Sequence, residues 1–142
     1  MDYHMDYACI TPTEQSFGDA VQAVEAAITT AGMQVLHIHD VQETLAKRGF
    51  QREPFKIVEF CNAQFANDFL KLDIRVGLCL PCKINVYTDQ GQTWIAGLRP
   101  TILPLVFPDV PFDEKLGEID QIIQRIVTSA ASAPVQKAHH QS

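Results

Sequence analysis

Residues 76–98 read VGLCLPCKINVYTDQGQTWIAGL, and this stretch decides the fold that the sequence predicts. Apolar and polar residues alternate on both sides of Asp89-Gln90-Gly91, which is typical of two paired strands joined by a short turn. We expect one strand over about 76–88, interrupted at Pro81, and a second over about 92–98. Gly91 suits a turn position with a positive φ angle. The sequence therefore predicts an antiparallel hairpin in the second half of the chain.

Amphipathic helices and further strands flank this hairpin. Strands are predicted at residues 7–10, 33–39 and 55–61, and helical spacing of apolar residues predicts helices at 17–31, 41–48, from 63 onward, and at 114–131. Ser16, Asp40 and Asn62 stand where helix N-caps are expected. The order β-α-β-α-β-α-β-β-α predicts a two-layer α+β fold, a mostly antiparallel sheet of four or five strands with helices on one face.

Length and composition bound the class of protein. A chain of 142 residues is the size of one domain, which we place at residues 1–132, followed by a disordered polar tail at 133–142. A net charge of −6 argues against a nucleic-acid surface, which needs a basic stripe. No stretch reaches the roughly 20 apolar residues of a membrane helix, and the acidic start at Met1 is unlike a signal peptide. We expect a cytoplasmic protein without nucleic-acid or membrane partners.

The segment His37-Ile38-His39 is the sharpest candidate for a binding site. On a strand, His37 and His39 project from the same face with Val35 beside them, and their Cα atoms stand about 7 Å apart. Two imidazoles at this spacing can bind one transition metal, or one of them can bind a haem iron. The alternative is a pair of solvated histidines on an exposed sheet face. Asp40, which follows, is interpreted as a helix cap and not as a ligand.

A haem also needs apolar neighbours for its ring and a cation for its propionates. Arg99 is the candidate cation, and its alternative role is an ion pair with an acidic residue. The predicted ligand-binding set is therefore His39, His37, Leu78, Leu80, Trp94, Arg99 and Phe107.

The cysteines carry a second hypothesis. In a chain without a secretory signal they are interpreted as free thiols or ligands. Cys79 and Cys82 form a C-x-x-C, but residues 83–87 alternate as a strand, so no helix N-terminus activates the first thiol. On an extended strand these two side chains point to opposite faces, which favours packing around a proline bulge at Pro81. Cys61 and Cys82 meet if two strand ends converge, a geometry suited to thiol transfer, a regulatory disulfide or a soft metal.

Four pieces of the sequence resemble, in this order, the domain-of-unknown-function family 302. The resemblance spans residues 17–127 and is carried by Asp40-Val41-Gln42-x-Thr44-Leu45, Cys61-Asn62-Ala63, Leu80-Pro81-Cys82-x-x-x-Val86-Tyr87 and Arg99-Pro100-Thr101. It implies a two-layer α/β domain of the TATA-binding-protein-like type that is commonly dimeric. It also implies a relation to haem-binding proteins or to sulfur-oxidation enzymes. Cys79 departs from the family pattern, in which an aliphatic residue is the more common occupant.

We therefore expect a non-enzymatic, homodimeric binding protein that holds haem or a transition metal through His37 and His39. The dimer is expected because one face of the predicted sheet has no cover and can meet a second copy across a two-fold axis. The alternative is a thiol protein in sulfur transfer or redox chemistry, with Cys61 and Cys82 as the main pair and Cys79 beside them.

Overall fold

The computed structural model of the chain describes residues 3–4 and 7–135. Within these residues, one antiparallel sheet is built from six strands: β1 (Tyr3–His4), β2 (Ala8–Thr13), β3 (Gln34–Asp40), β4 (Phe55–Cys61), β5 (Cys82–Asp89) and β6 (Gln92–Leu98). The strands are ordered β1-β2-β6-β5-β4-β3 across the sheet. The predicted α+β class with a mostly antiparallel sheet is confirmed. Most of the predicted tail, 133–142, lies outside the described residues.

The two long helices, α1 (Phe17–Thr30) and α5 (Glu114–Ala131), cover one face of this sheet, and the opposite face is called the uncovered sheet face. The shorter helices are α2 (Val41–Ala46), α3 (Ala63–Leu72) and α4 (Leu103–Val106), with 3₁₀ helices at Ile74–Cys79 and Pro100–Ile102. The core lies between the sheet and the long helices α1 and α5, and its fully buried members include Val24, Ile28, Val58, Phe60, Ile84, Val86, Ile95, Ile126 and Val127. Burying one such side chain stabilises the fold by about 1.5–3 kcal/mol. None of the described helices is long and apolar enough to span a membrane.

All three predicted N-caps are confirmed. The side chains of Ser16, Asp40 and Asn62 accept hydrogen bonds from backbone N–H groups two or three residues ahead, at 3.2, 2.9 and 2.9 Å. Each bond satisfies an N–H group that has no partner within its own helix. Asn62 caps α3 directly after the end of β4, so it fixes the position of the preceding residue, Cys61.

The hairpin turn is tighter than the predicted three residues. Asp89 and Gln92 pair across it, which leaves Gln90 and Gly91 as the two turn residues, with φ angles of 53° and 83°. Two successive positive φ angles match the twist of the paired strands. The Glu53 carboxylate accepts hydrogen bonds from the backbone N–H groups of Gly91 and Gln90, and these bonds lower the pKa of that carboxyl.

The first hairpin strand is shorter than predicted, so the expectation of a strand from residue 76 was wrong. Ile74–Cys79 forms a 3₁₀ helix, and β5 begins only at Cys82. Asp73 starts the 3₁₀ helix by accepting a hydrogen bond from the backbone N–H of Arg75 at 2.9 Å. Pro81 has no N–H group to donate to a strand ladder, so pairing cannot extend through it.

A β-bulge in β3 changes which residues surround the histidines. Val35 pairs with Phe60, but His37 pairs with the adjacent Glu59, because β3 carries one extra residue between the two pairs. The extra residue reverses the alternation of side chains along the strand. Val35 therefore packs toward the core, whereas His37 and His39 lie on the uncovered sheet face. The expectation that Val35 stands beside the histidines was wrong.

Gly97 in β6 is predicted to tolerate no larger side chain. A Cβ atom there would lie 2.9 Å from Ile123 Cγ2, 2.9 Å from Ile84 Cδ1 and 3.2 Å from Val127 Cγ2, all of them buried. We expect Gly97→Ala to lower the free energy of unfolding by about 1–3 kcal/mol because the core is overpacked. In the matched control, Gly117→Ala on an exposed part of α5, stability should rise by up to about 1 kcal/mol. Urea denaturation measures both, and equal stability of the two variants would contradict this packing.

Candidate functional site

A cavity of about 530 Å³ opens at the end of the sheet where β4 ends and β5 begins. Its inner wall is apolar and is formed by core-facing side chains, among them Met33, Phe69, Val76, Leu103, Ile119 and Ile123. Its outer wall is formed by residues of the uncovered sheet face, among them Ile57, Lys83, Asn85 and Ala96. The volume lies in the range of sites that hold small molecules, roughly 300–1,000 Å³.

Three of the four cysteines, Cys61, Cys79 and Cys82, border this cavity as free thiols. Cys61 is the last residue of β4, Cys79 is the last residue of the 3₁₀ helix, and Cys82 is the first residue of β5. The expectation that Cys79 and Cys82 point to opposite faces was wrong, because Cys79 does not belong to the strand. The Leu80–Pro81 peptide bond between them is cis. The fold thus gathers thiols from three segments around one space.

Burial keeps the Cys82 thiol protonated at neutral pH. The removal of the side chain from water, and to a smaller extent the neighbouring Cys61 and Cys79, raise its pKa to about 11. At pH 7 about one molecule in 10⁴ then carries the Cys82 thiolate, the form that acts as a nucleophile. Cys82 is therefore a neutral, polarisable wall of the cavity at this pH and a poor nucleophile.

The predicted haem-binding set does not form one cleft within a single chain. Leu78 and Leu80 line the cavity, and Leu78 is highly exposed at its mouth. Phe107 is buried in the core instead. Trp94 lies on β6, three strands away from the histidines of β3, a separation of about 14 Å. Neither His37 nor His39 lines the cavity.

The Arg99 side chain forms an ion pair within the chain. Its guanidinium donates hydrogen bonds to the buried Asp120 carboxylate through Nε at 3.2 Å and Nη2 at 3.1 Å. Gln124 donates a third bond to the same carboxylate at 2.8 Å. Arg99 therefore has the alternative role expected from the sequence, an ion pair with an acidic residue. This ion pair links the end of β6 to α5 beside the cavity.

One member of the histidine pair, His39, has a side-chain hydrogen bond. Its Nε2 lies 2.9 Å from the Thr44 hydroxyl oxygen, and the same hydroxyl donates to the backbone carbonyl of Asp40 at 3.1 Å. This contact engages one of the two ring nitrogens of His39. Among residues 3–4 and 7–135, no group of three or more His, Cys, Asp or Glu is arranged to hold a metal ion. Haem or metal binding through His37 and His39 stays a prediction.

Several cavity residues escaped prediction because no local pattern marks them. The cavity draws on segments as far apart as Tyr7 and Ile123. Phe65, Phe69 and Ile123 show only the helical spacing of a core stripe, which is the same whether or not a cavity adjoins them. The buried role of Asp120 could have been predicted from the sequence, because a carboxylate within the apolar stripe of α5 needs a buried partner.

The comparisons with known proteins agree with the expected resemblance. The sequence profile described as Domain of unknown function DUF302 matches residues 9–130. A solved structure of an uncharacterized conserved DUF302 protein from Bacillus stearothermophilus superposes with a TM-score of 0.74 at 27% identity, and the match covers 89% of this chain and 97% of the other. No curated protein matches the chain.

The state of Cys82 predicts slow alkylation at neutral pH. With its pKa at about 11, Cys82 should react with iodoacetamide at pH 7 at least about 100-fold more slowly than an unperturbed thiol. The rate should rise about tenfold per pH unit below that pKa, because it follows the thiolate fraction. Peptide mapping by mass spectrometry over a time course measures this, and protein unfolded in urea is the control in which the slow reaction should disappear. Rapid modification of Cys82 in the folded protein at pH 7 would contradict the assigned burial.

Proposed function

The chain belongs to the DUF302 family, and we propose that it is a binding protein whose thiol-bordered cavity holds a small, largely apolar molecule. The observation that carries this proposal is the cavity of about 530 Å³ with its mostly apolar wall. A ligand in such a space gains affinity by removing its own apolar surface and that of the wall from water. The proposed binding site is therefore the cavity at the end of the sheet, and not the histidine pair on β3.

The side chains around the cavity favour binding over catalysis. The described lining residues include no carboxylate and no imidazole, the groups that most often act as general bases near neutral pH. The Cys82 thiol is protonated at pH 7, mainly because burial raises its pKa to about 11. We therefore propose a non-enzymatic role. A cytoplasmic location suits a protein with three free thiols around its cavity.

Thiol chemistry is the second candidate, because Cys61, Cys79 and Cys82 border the same cavity. In this candidate the Cys61 thiolate attacks the outer sulfur of a small persulfide, R–S–SH. A new S–S bond forms at Cys61, the S–S bond of the donor breaks, and the donor leaves as the thiolate R–S⁻. The persulfide proton stays on the transferred sulfur, so no external oxidant or reductant is required. A persulfide found on Cys61 in the mapped peptides would favour this candidate over simple binding.

The proposal leaves two further parts of the expected function open to experiment. Haem or a transition metal bound through His37 and His39 is a separate proposal, because neither residue lines the cavity. It is supported by their shared position on the uncovered sheet face. The other part is self-association through that face.

We propose that the chain forms a homodimer through its uncovered sheet face. The face carries a row of aromatic residues on neighbouring strands, Phe55, Tyr87 and Trp94, and Phe55 stacks on Tyr87 with ring centroids 5.3 Å apart. Light scattering at micromolar concentration should give twice the chain mass of 15.9 kDa. Trp94→Glu should give a monomer because it places a charge in the apolar contact, whereas Phe50→Glu, at an exposed position in a loop, should not. A monomeric wild-type protein would contradict this proposal.

Filling the cavity should abolish ligand binding without unfolding the chain. Ala66 lines the cavity from α3, whereas Ala63 on the same helix is exposed and does not line it. We expect the wild type and Ala63→Phe to enhance the fluorescence of the neutral apolar dye N-phenyl-1-naphthylamine. Ala66→Phe should bind the dye at least about tenfold more weakly, because the phenyl ring occupies the space of the ligand. Circular dichroism confirms the fold of each variant.

Two results of the dye experiment would contradict the proposed function. One is a wild-type protein that does not enhance the fluorescence of the dye. The other is a folded Ala66→Phe variant that binds the dye as tightly as Ala63→Phe does, since the dye would then lie elsewhere.

A further inference from the structure

We infer that the ligand of the cavity is an amphiphile, with an apolar chain or ring directed to the inner wall and one anionic group placed beside Lys83. The inference rests on the proposed function and names the class of molecule that the cavity takes. Three observations carry it: the charge of the cavity wall, the position of its polar side chains, and the neutrality of its buried thiol.

The wall of the cavity has the opposite charge to the protein as a whole. The chain has 17 acidic and 11 basic residues, which gives it a net charge of −6. Among the described residues that line the cavity, however, no acidic side chain occurs, and Lys83 is the one charged side chain. An anionic group meets no carboxylate there and finds one ammonium, whereas a cationic group finds no partner.

Two polar side chains of the cavity wall, Lys83 and Asn85, stand together at its outer end, whereas Tyr7 and Asn62 come from other segments. Lys83 and Asn85 are two residues apart on β5, so both project from the uncovered sheet face at a Cα spacing of about 7 Å. The opposite end is closed by buried apolar residues, Phe69, Val76 and Ile123. A ligand with one anionic end and an apolar body matches this division, with its anion between the Lys83 ammonium and the Asn85 amide.

The charged and titratable groups around Lys83 affect how strongly an anion binds there. Glu59 pairs with Lys83 in the β4–β5 ladder but does not line the cavity, so it competes with a ligand anion for the ammonium. His37 is the ladder partner of Glu59 on the next strand, β3. Inside the cavity, burial raises the pKa of Cys82 to about 11, so this thiol adds no negative charge near pH 7. Removal of the Glu59 charge should therefore strengthen binding of an anion, and reversal of the Lys83 charge should weaken it.

Displacement of N-phenyl-1-naphthylamine by three decyl compounds tests the inference on the full chain. Decanoate, 1-decanol and decyltrimethylammonium share the apolar chain and differ in head group. We expect decanoate to displace the dye from the wild type at about a tenfold lower concentration than the other two, because a charge-assisted contact adds to the shared apolar burial. Lys83→Glu should remove this advantage, and Glu59→Gln should increase it by about threefold. Lys47→Glu, directly after α2, is the same charge reversal at a residue that does not line the cavity, and it should behave as the wild type.

The results of this displacement experiment distinguish a failure of the inference from a failure of the proposed function. If all three compounds displace the dye equally, or if Lys83→Glu keeps the preference for decanoate, the inference is wrong while the cavity remains a binding site. If the dye does not bind the wild type, the proposed function itself fails. A preference for decyltrimethylammonium would overturn the inference and would direct attention to Glu59.

Discussion

Helix α5 lies close to strand β6 at Gly97, and the packing of both the core and the cavity wall depends on this contact. Because Gly97 has no side chain, Ile123 of α5 can pack directly against the strand, together with Ile84 and Val127. Gly97 and Ile123 also belong to the wall of the cavity, so the packing that closes the core also shapes the candidate site. The ion pair of Arg99 with Asp120 fastens the same helix to the end of the same strand.

Much of the fold follows from local sequence, because its signals act over a few residues. The alternation in β6, the apolar stripes of α1 and α5, and the capping side chains of Ser16, Asp40 and Asn62 are each decided by neighbours in the chain. Two other local features were predicted wrongly from the same kind of signal. Asp73 caps a 3₁₀ helix where alternation indicated a strand, and a bulge in β3 reversed the side chains around Val35.

The candidate site was less predictable, because its walls come from segments distant in sequence. Cys61 and Cys82 were expected to meet if strand ends converge, and both stand at strand termini that border the cavity. Cys79 was placed on the wrong element, so its position at the cavity did not follow. Lys83 carried no pattern that distinguishes it from any other surface lysine. Its significance depends on the absence of acidic side chains from the described cavity wall, which is a property of the folded chain alone.

We propose that the ligand lies in the cavity at the end of the sheet and not against the histidines of β3. Two-dimensional ¹H–¹⁵N NMR of the labelled protein during titration with decanoate locates the ligand. We expect the largest shifts to cluster at backbone amides around the cavity, such as those of Cys61, Ala66, Cys82 and Gly97, and to saturate together. Shifts that cluster instead at His37, His39 and Thr44, or an unchanged spectrum at saturating decanoate, would contradict it.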